Sequence, residues 1–151
     1  MENNCQHKTG KTLYPHLFSP MRLGNVRMKN RIICAPTSPS MIDLNGHFTP
    51  EMIAYLEEKA AGGAGVVTYG EAIVHSATGK SHNKQLQLDA FGVRQGMAEA
   101  ARAIHNAGAY ANIQLSHGGM YGGLASVGGD VDTCSVAYGP SDMLMPQGPV
   151  K

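Results

Sequence analysis

The sequence has no excess of charge of either sign, few cysteines and no long apolar run, and each shortage removes a class of function. Twelve Lys and Arg stand against eleven Asp and Glu, a formal net charge of +1 with the seven His neutral. The basic residues are scattered, so nothing pulls the chain electrostatically toward nucleic acid or anionic lipid. No apolar run approaches the ~18 residues of a membrane span, and residues 1–12 are polar, without the apolar stretch of a secretory signal. A cytoplasmic setting is the expectation. Cys5, Cys34 and Cys134 are odd in number, far apart and at neither zinc nor redox-motif spacing. They read as free thiols, with Cys34, inside an apolar run, a small core residue and not a nucleophile. His75 and His82 have no Cys or carboxylate at a familiar ligand spacing, so no metal site is expected.

What is present reads as α/β. Leu23 and Val26 flank Gly24-Asn25, a pair that tolerates the positive φ of a tight turn, which predicts a β-hairpin. Arg31 to Ala35 is a brief apolar run stopped by Pro36 and predicts a buried strand. Thr49 can cap a helix, Pro50 suits its first position, and Met52, Tyr55, Leu56 and Ala60 share one face until Gly62-Gly63. Ala64 to Tyr69 predicts a second buried strand ending at Gly70. Phe91 to Ala107 is helical by period, with Val93, Met97, Ala100, Ala101 and Ile104 on one face and Gly108 beyond. Tyr110 to Leu115 predicts a third strand. From Ser116 to Lys151, Gly118-Gly119, Gly122-Gly123, Gly128-Gly129 and several prolines leave no sustained period, which predicts a long loop.

Strand, helix, strand, helix, strand gives right-handed crossovers and a parallel sheet. Two helices cover such a sheet on one side and leave the third strand as an open edge. A (β/α)₈ barrel needs about 250 residues, so the expected architecture is the N-terminal part of a TIM barrel, three strands and two helices preceded by a hairpin. On this reading residues 1–16 are a polar N-terminal segment, residues 17–151 are an incomplete barrel domain, and the remainder of the barrel is a partner. Function in such barrels sits on the loops after the strands, here Pro36 to Ser40, Gly70 to Val74 and Gln114 to Met120. Gly62-Gly63-Ala64-Gly65 is no phosphate loop, because it precedes a strand instead of opening a helix.

Leu17-Phe18-Ser19-Pro20 with Leu23-Gly24, Met28 to Ile32 leading to Ala35-Pro36, then Asn45-Gly46, Thr49, Tyr55 and Ala60 to Gly65, and finally Gln114-Leu115 with His117 and Gly119, form three blocks in order. Together they resemble the old yellow enzyme family of FMN oxidoreductases, over Leu17 to Asp142, particularly its larger members related to 2,4-dienoyl-CoA and enoate reductases. The resemblance implies an FMN-dependent NAD(P)H oxidoreductase, passing hydride from a reduced nicotinamide through FMN to an activated C=C bond of a small unsaturated substrate. It also implies FAD and a 4Fe–4S cluster in regions outside this chain, whose three cysteines do not form that motif.

The site residues it implies are Pro36, Thr37, Ser38, Gly70, Glu71 and Gln114. Pro36, Thr37 and Ser38 follow a strand and offer backbone amides and a hydroxyl toward the flavin's N5 and O4 side. The Gln114 amide both donates and accepts, which matches the O2 and N3 edge of a pyrimidine ring. Gly70 removes a side chain beside the ring. For Glu71 an Arg-paired or solvated carboxylate stands equally with a cofactor contact. His117 matches a family histidine, but Met120 stands where an Arg commonly follows, and hydrogen bonding or packing is the expected role of that histidine. No catalytic residue is assigned, since in the family the substrate-carbonyl anchors, the proton donor and the phosphate site come from later strands. Two other readings stay open: a non-catalytic barrel fragment acting only in association, and a flavin-free TIM-barrel lyase. The absence of a Lys at a strand end counts against Schiff-base chemistry in the latter.

Overall fold

The computed structural model describes residues 9–122, 137–145 and 148–151. Cys5 and Cys134 lie outside the described residues, as do residues 1–8 of the polar N-terminal segment. A single helical turn, α1 (Gly10–Leu13), precedes the hairpin of β1 (Met21–Leu23) and β2 (Val26–Met28). Leu23 pairs with Val26, and Gly24 takes φ +55° at the turn, as the Gly-Asn pair predicts.

The main sheet is parallel. Its central strand β4 (Val66–Ile73) lies between β3 (Ile33–Thr37) and β6 (Tyr110–Ser116), and the two-residue β5 (Leu86–Gln87) adds to the end of β4. The crossovers run through α2 (Pro50–Ala61) and α4 (Val93–Asn106), with the single turn α3 (Ser76–Gly79) after β4. Ile33 stands beside Val66 and Thr37 beside Tyr69, while Val66 meets Tyr110 and Tyr69 meets Ile113 on the other side.

Two boundaries differ from the sequence expectation for one reason. The second strand does not stop at Gly70 but resumes pairing at Ala72, opposite both Leu86 and Leu115. The first strand runs on through Pro36 to Thr37. Both ladders slip in register at this level, between Cys34 and Thr37 and between Tyr69 and Ala72. A bulge accommodates a proline with no N–H to give and a glycine where backbones approach. The expected loop after Ser116 also contains structure, a 3₁₀ turn (Gly119–Tyr121) and a hairpin of β7 (Met143–Met145) and β8 (Gly148–Val150). Elements of three residues leave no period to read.

Both long helices lie on one face of the sheet. Met52, Leu56 and Ala60 of α2 and Ala100 and Ile104 of α4 bury against Val67, Tyr69, Ala72 and Leu86. Phe48 meets Tyr69 edge to face, with ring centroids 4.8 Å apart. β4 is buried along its length except at Glu71, whereas most of β6 is exposed. The sheet is therefore an open arc of three longer strands and the two-residue β5, covered by helices on one side and not closed into a barrel. Among the described residues no helix is long and apolar enough to cross a membrane.

The start of α2 is fixed by a polar contact. Thr49 Oγ1 accepts from the Met52 N–H at 3.2 Å and donates to the Met41 carbonyl at 3.0 Å, while Gly63, at φ +104°, ends the same helix. Removing the hydroxyl by Thr49→Ala should cost about 1–2 kcal/mol, read as a lowered urea midpoint with an unchanged slope.

Asp43 and His47 form a polar unit in the loop before α2. Asp43 Oδ1 accepts the backbone N–H groups of Asn45 at 2.9 Å and His47 at 2.8 Å, and its Oδ2 lies 3.3 Å from His47 Nδ1. His47 Nε2 meets the Phe91 carbonyl at 2.9 Å. Both ring nitrogens thus face acceptors, and the imidazole is raised above its ordinary 6.5, first by the Phe91 carbonyl and then by Asp43 against a burial penalty. Burial pushes the Asp43 carboxyl up, but the His47 backbone and side-chain contacts outweigh it and leave it below its ordinary 3.8. The histidine contribution is complete below the unfolded imidazole value and is lost as pH rises through the raised one. The aspartate contribution is complete above the unfolded carboxyl value and is lost as pH falls through the lowered one. Between 3.8 and 6.5 both are in force. An NMR titration should place the His47 midpoint above 6.5, and Asp43→Asn should lower it; an unmoved midpoint would contradict the pairing.

Candidate functional site

On β4 the side chains alternate between the helix layer and the open face of the arc. Val67 and Tyr69 point to the helices, and Thr68 and Gly70 belong to the other face. On β6 the open face carries Asn112, Gln114 and Ser116. Asn112 Nδ2 donates to Thr68 Oγ1 at 3.3 Å, and Ser116 Oγ donates to Glu71 Oε2 at 3.3 Å. Gln114, between them, hydrogen-bonds to no described residue.

Pro36, Gly70 and Gln114 come together at one point on three adjacent strands. A Cβ at position 70 would lie 2.6 Å from Gln114 Oε1 and 2.6 Å from the Pro36 Cβ. These are distances no real methyl tolerates, so the local sequence requires glycine here. The amide of Gln114 lies across the bare backbone of β4, exposed to the open side.

The other expected residues are placed nearby with different partners. Thr37 is exposed, and its hydroxyl donates to the Ala35 carbonyl at 3.2 Å. Ser38 Oγ and Tyr69 OH are both buried, and neither reaches a hydrogen-bond partner among the described residues. Burial pushes the Tyr69 phenol up. The Glu71 carboxylate is held by neutral and imidazole donors and not by an arginine: Gln85 Nε2 at 2.5 Å and His82 Nε2 at 3.1 Å on Oε1, with Ser116 on Oε2.

His117 is a hydrogen-bonding histidine, as expected, and its partners fix its tautomer. The Gly119 N–H donates to Nδ1 at 3.0 Å, so the ring proton sits on Nε2, which meets Thr78 Oγ1 at 2.9 Å. The Thr78 hydroxyl is left to donate to His75 Nδ1 at 2.8 Å. The ring packs over Gly79, where a Cβ would lie 2.6 Å from it. Ser116, Thr78 and Gln85 were not legible as site residues. Their partners lie 45, 39 and 14 positions away, respectively, and a hydroxyl or amide in a loop carries no local signal of such a bond.

Comparison with known proteins follows the same extent. The sequence profile of the NADH:flavin oxidoreductase / NADH oxidase family matches residues 16–146. An NADH oxidase of Thermoanaerobacter brockii is 33% identical over 108 residues, covering 72% of this chain and 17% of that protein. The solved complex of 2-naphthoyl-CoA reductase with 2-naphthoyl-CoA superposes with a TM-score of 0.78 at 31% identity, covering 91% of this chain and 22% of the other. An old yellow enzyme homologue of Zymomonas mobilis superposes at 0.72 with 22% identity, over 87% of this chain and 35% of its own, which speaks to fold alone. The chain spans about a sixth of the NADH oxidase it matches.

Gly70→Ala tests the close approach directly. The added methyl must part β3 from β6 or expel the Gln114 side chain, which should destabilise the chain by about 1–3 kcal/mol. Chemical denaturation reads the loss, and an alanine variant as stable as the parent would show that the three strands do not meet as described.

Proposed function

The chain belongs to the NADH:flavin oxidoreductase / NADH oxidase family, and from that premise we propose that it builds the first strands of a flavin-binding barrel, with Pro36, Thr37, Ser38, Gly70 and Gln114 along the flavin's polar edge and Glu71 beside them. The observation that carries the reading is Gln114. It is a side-chain amide without a described partner, set between two inward polar residues whose hydrogen bonds are already made. Exposed on the open face, that amide is free to bond a ligand that offers both a donor and an acceptor.

The fit is supported by the shape at Gly70. With no Cβ there, Pro36 and the Gln114 amide close onto the backbone of β4, and a flat apolar ring could rest against them while its polar rim reaches the strand ends. Pro36 supplies an apolar wall, the exposed Thr37 hydroxyl oxygen can still accept a hydrogen bond, and Thr37 and Ser38 offer backbone amides. Bound FMN supplies two-electron chemistry, accepting hydride from a reduced nicotinamide and delivering it to an acceptor. The residues of this chain orient that edge by hydrogen bonds, and Gln114 would present its N–H to a ring carbonyl and its oxygen to a ring N–H. For the complete protein the proposed reaction is NAD(P)H oxidation coupled to reduction of an activated C=C bond in a small unsaturated substrate, in a cytoplasmic setting, with FAD and a 4Fe–4S cluster carried outside these residues.

Reconstitution of the chain with the remaining strands of the barrel, followed by FMN titration, tests the reading. Gln114→Leu removes both hydrogen bonds and should weaken FMN binding about 10- to 100-fold, with a shift in the visible flavin bands. A colourless assembled protein, or one that retains flavin normally with leucine at 114, would overturn it.

A further inference from the structure

Glu71 is the one residue of β4 that is not fully buried, and its carboxylate gathers three segments. Oε1 accepts from Gln85 Nε2 at 2.5 Å and from His82 Nε2 at 3.1 Å, and Oε2 accepts from Ser116 Oγ at 3.3 Å. Gln85 is completely buried, and its hydrogen-bond capacity is fully used. Its Oε1 accepts the backbone N–H groups of Ser81 at 2.8 Å and His82 at 3.1 Å, and its Nε2 donates to Ser81 Oγ at 2.9 Å and to Glu71. The segment 81–85 is therefore a closed polar unit whose Gln85 amide has one link outward, the carboxylate of Glu71.

Ser116 provides the connection to the candidate site. It stands two residues beyond Gln114 on the same face of β6, and the ladder between β4 and β6 slips in register between Tyr69 and Ala72. Gln114 falls opposite that slip, between Ile113, which pairs with Tyr69, and Leu115, which pairs with Ala72. The Glu71–Ser116 bond spans the place where the ladder is irregular.

We propose that Glu71 is a positioning residue: through Ser116 it fixes the stretch of β6 that carries Gln114, and through Gln85 and His82 it joins the loop after β4 to the same unit. It thus acts on the flavin edge through Gln114, without touching it. The assignment rests on the flavin reading for its purpose, but the coupling of Glu71 to Gln114 is a property of the chain itself.

The chemistry distinguishes the substitutions. Glu71→Gln keeps one side-chain oxygen for Gln85 and His82 and turns an NH₂ toward Ser116 Oγ, which can accept. Glu71→Ala leaves all three donors without an acceptor. Ser116→Ala cuts only the link to β6. NMR on the isotope-labelled full chain, without flavin, reads the Gln114 side-chain amide resonances and the exchange rates of the Leu115 and Ser116 amides. Glu71→Ala and Ser116→Ala should both move the Gln114 resonances and speed exchange at Leu115 and Ser116 about tenfold. Glu71→Gln should restore the parent values, and Ser116→Ala should leave residues 81–85 as protected as in the parent. If Glu71→Ala does not fold, Ser116→Ala carries the test. Gln114 resonances unmoved by Ser116→Ala would overturn the proposal, as would a Glu71→Gln chain that behaves like Glu71→Ala. Failure of the reconstituted barrel to take up FMN would refute the flavin reading alone, since this measurement involves no flavin.

Discussion

Three strands can share one polar point only if the middle strand carries no side chain there. The rest of the site depends on that constraint at Gly70. Pro36 and Gln114 approach to where a single Cβ would collide with both, and the registers on either side of β4 slip at this level. The slip lets the chain turn its side chains anew, so that Glu71, next in sequence, reaches the loop after β4 and the end of β6. A regular ladder would have held the strands at ordinary spacing and put a side chain into the same gap.

Stability and site chemistry are divided between the two faces of the sheet. The helix face is sealed by Met52, Leu56, Ala100 and Ile104 against Val67 and Tyr69, where burial is non-directional and roughly additive in area. The open face is polar, and its groups are held by hydrogen bonds that depend on position. The Glu71 carboxylate and the His117 ring each bridge the segment after β4 to the end of β6, so two independent side-chain systems tie those ends together. A site held this way owes its geometry to rigid strand ends and not to the mobility of a loop.

The main elements were legible in the sequence because each carries a local pattern. The apolar faces of α2 and α4, the cap at Thr49, the glycine ends at Gly63 and Gly108 and the turn at Gly24 appear where periodicity and turn chemistry put them. The ends of β3 and β4 were not legible, because proline and glycine normally punctuate strands and here mark bulges inside them. β5 has two residues and no period, and it exists because the end of β4 offers it a partner. Gln114, Gly70 and Pro36 were singled out by a motif and are brought together by the fold. The assignment of Glu71 stood between two roles, since its partners Gln85, His82 and Ser116 are set by tertiary structure alone.

The run from Ala111 to Ser116 shows why strand position alone does not set Gln114 apart from its neighbours. Small or apolar residues at 111, 113 and 115 alternate with polar ones at 112, 114 and 116, so a strand there must present Asn112, Gln114 and Ser116 on one face. Those three are chemically similar enough that pattern ranks none above the others. The difference comes from what faces them on β4. Thr68 meets Asn112 and Glu71 meets Ser116, and each supplies an acceptor. Gly70 meets Gln114 and supplies nothing. The glycine that lets Pro36 and Gln114 close onto the backbone of β4 is the same residue that withholds a side-chain partner from the amide beside it, so the close approach and the free hydrogen-bonding capacity arise together from one missing side chain.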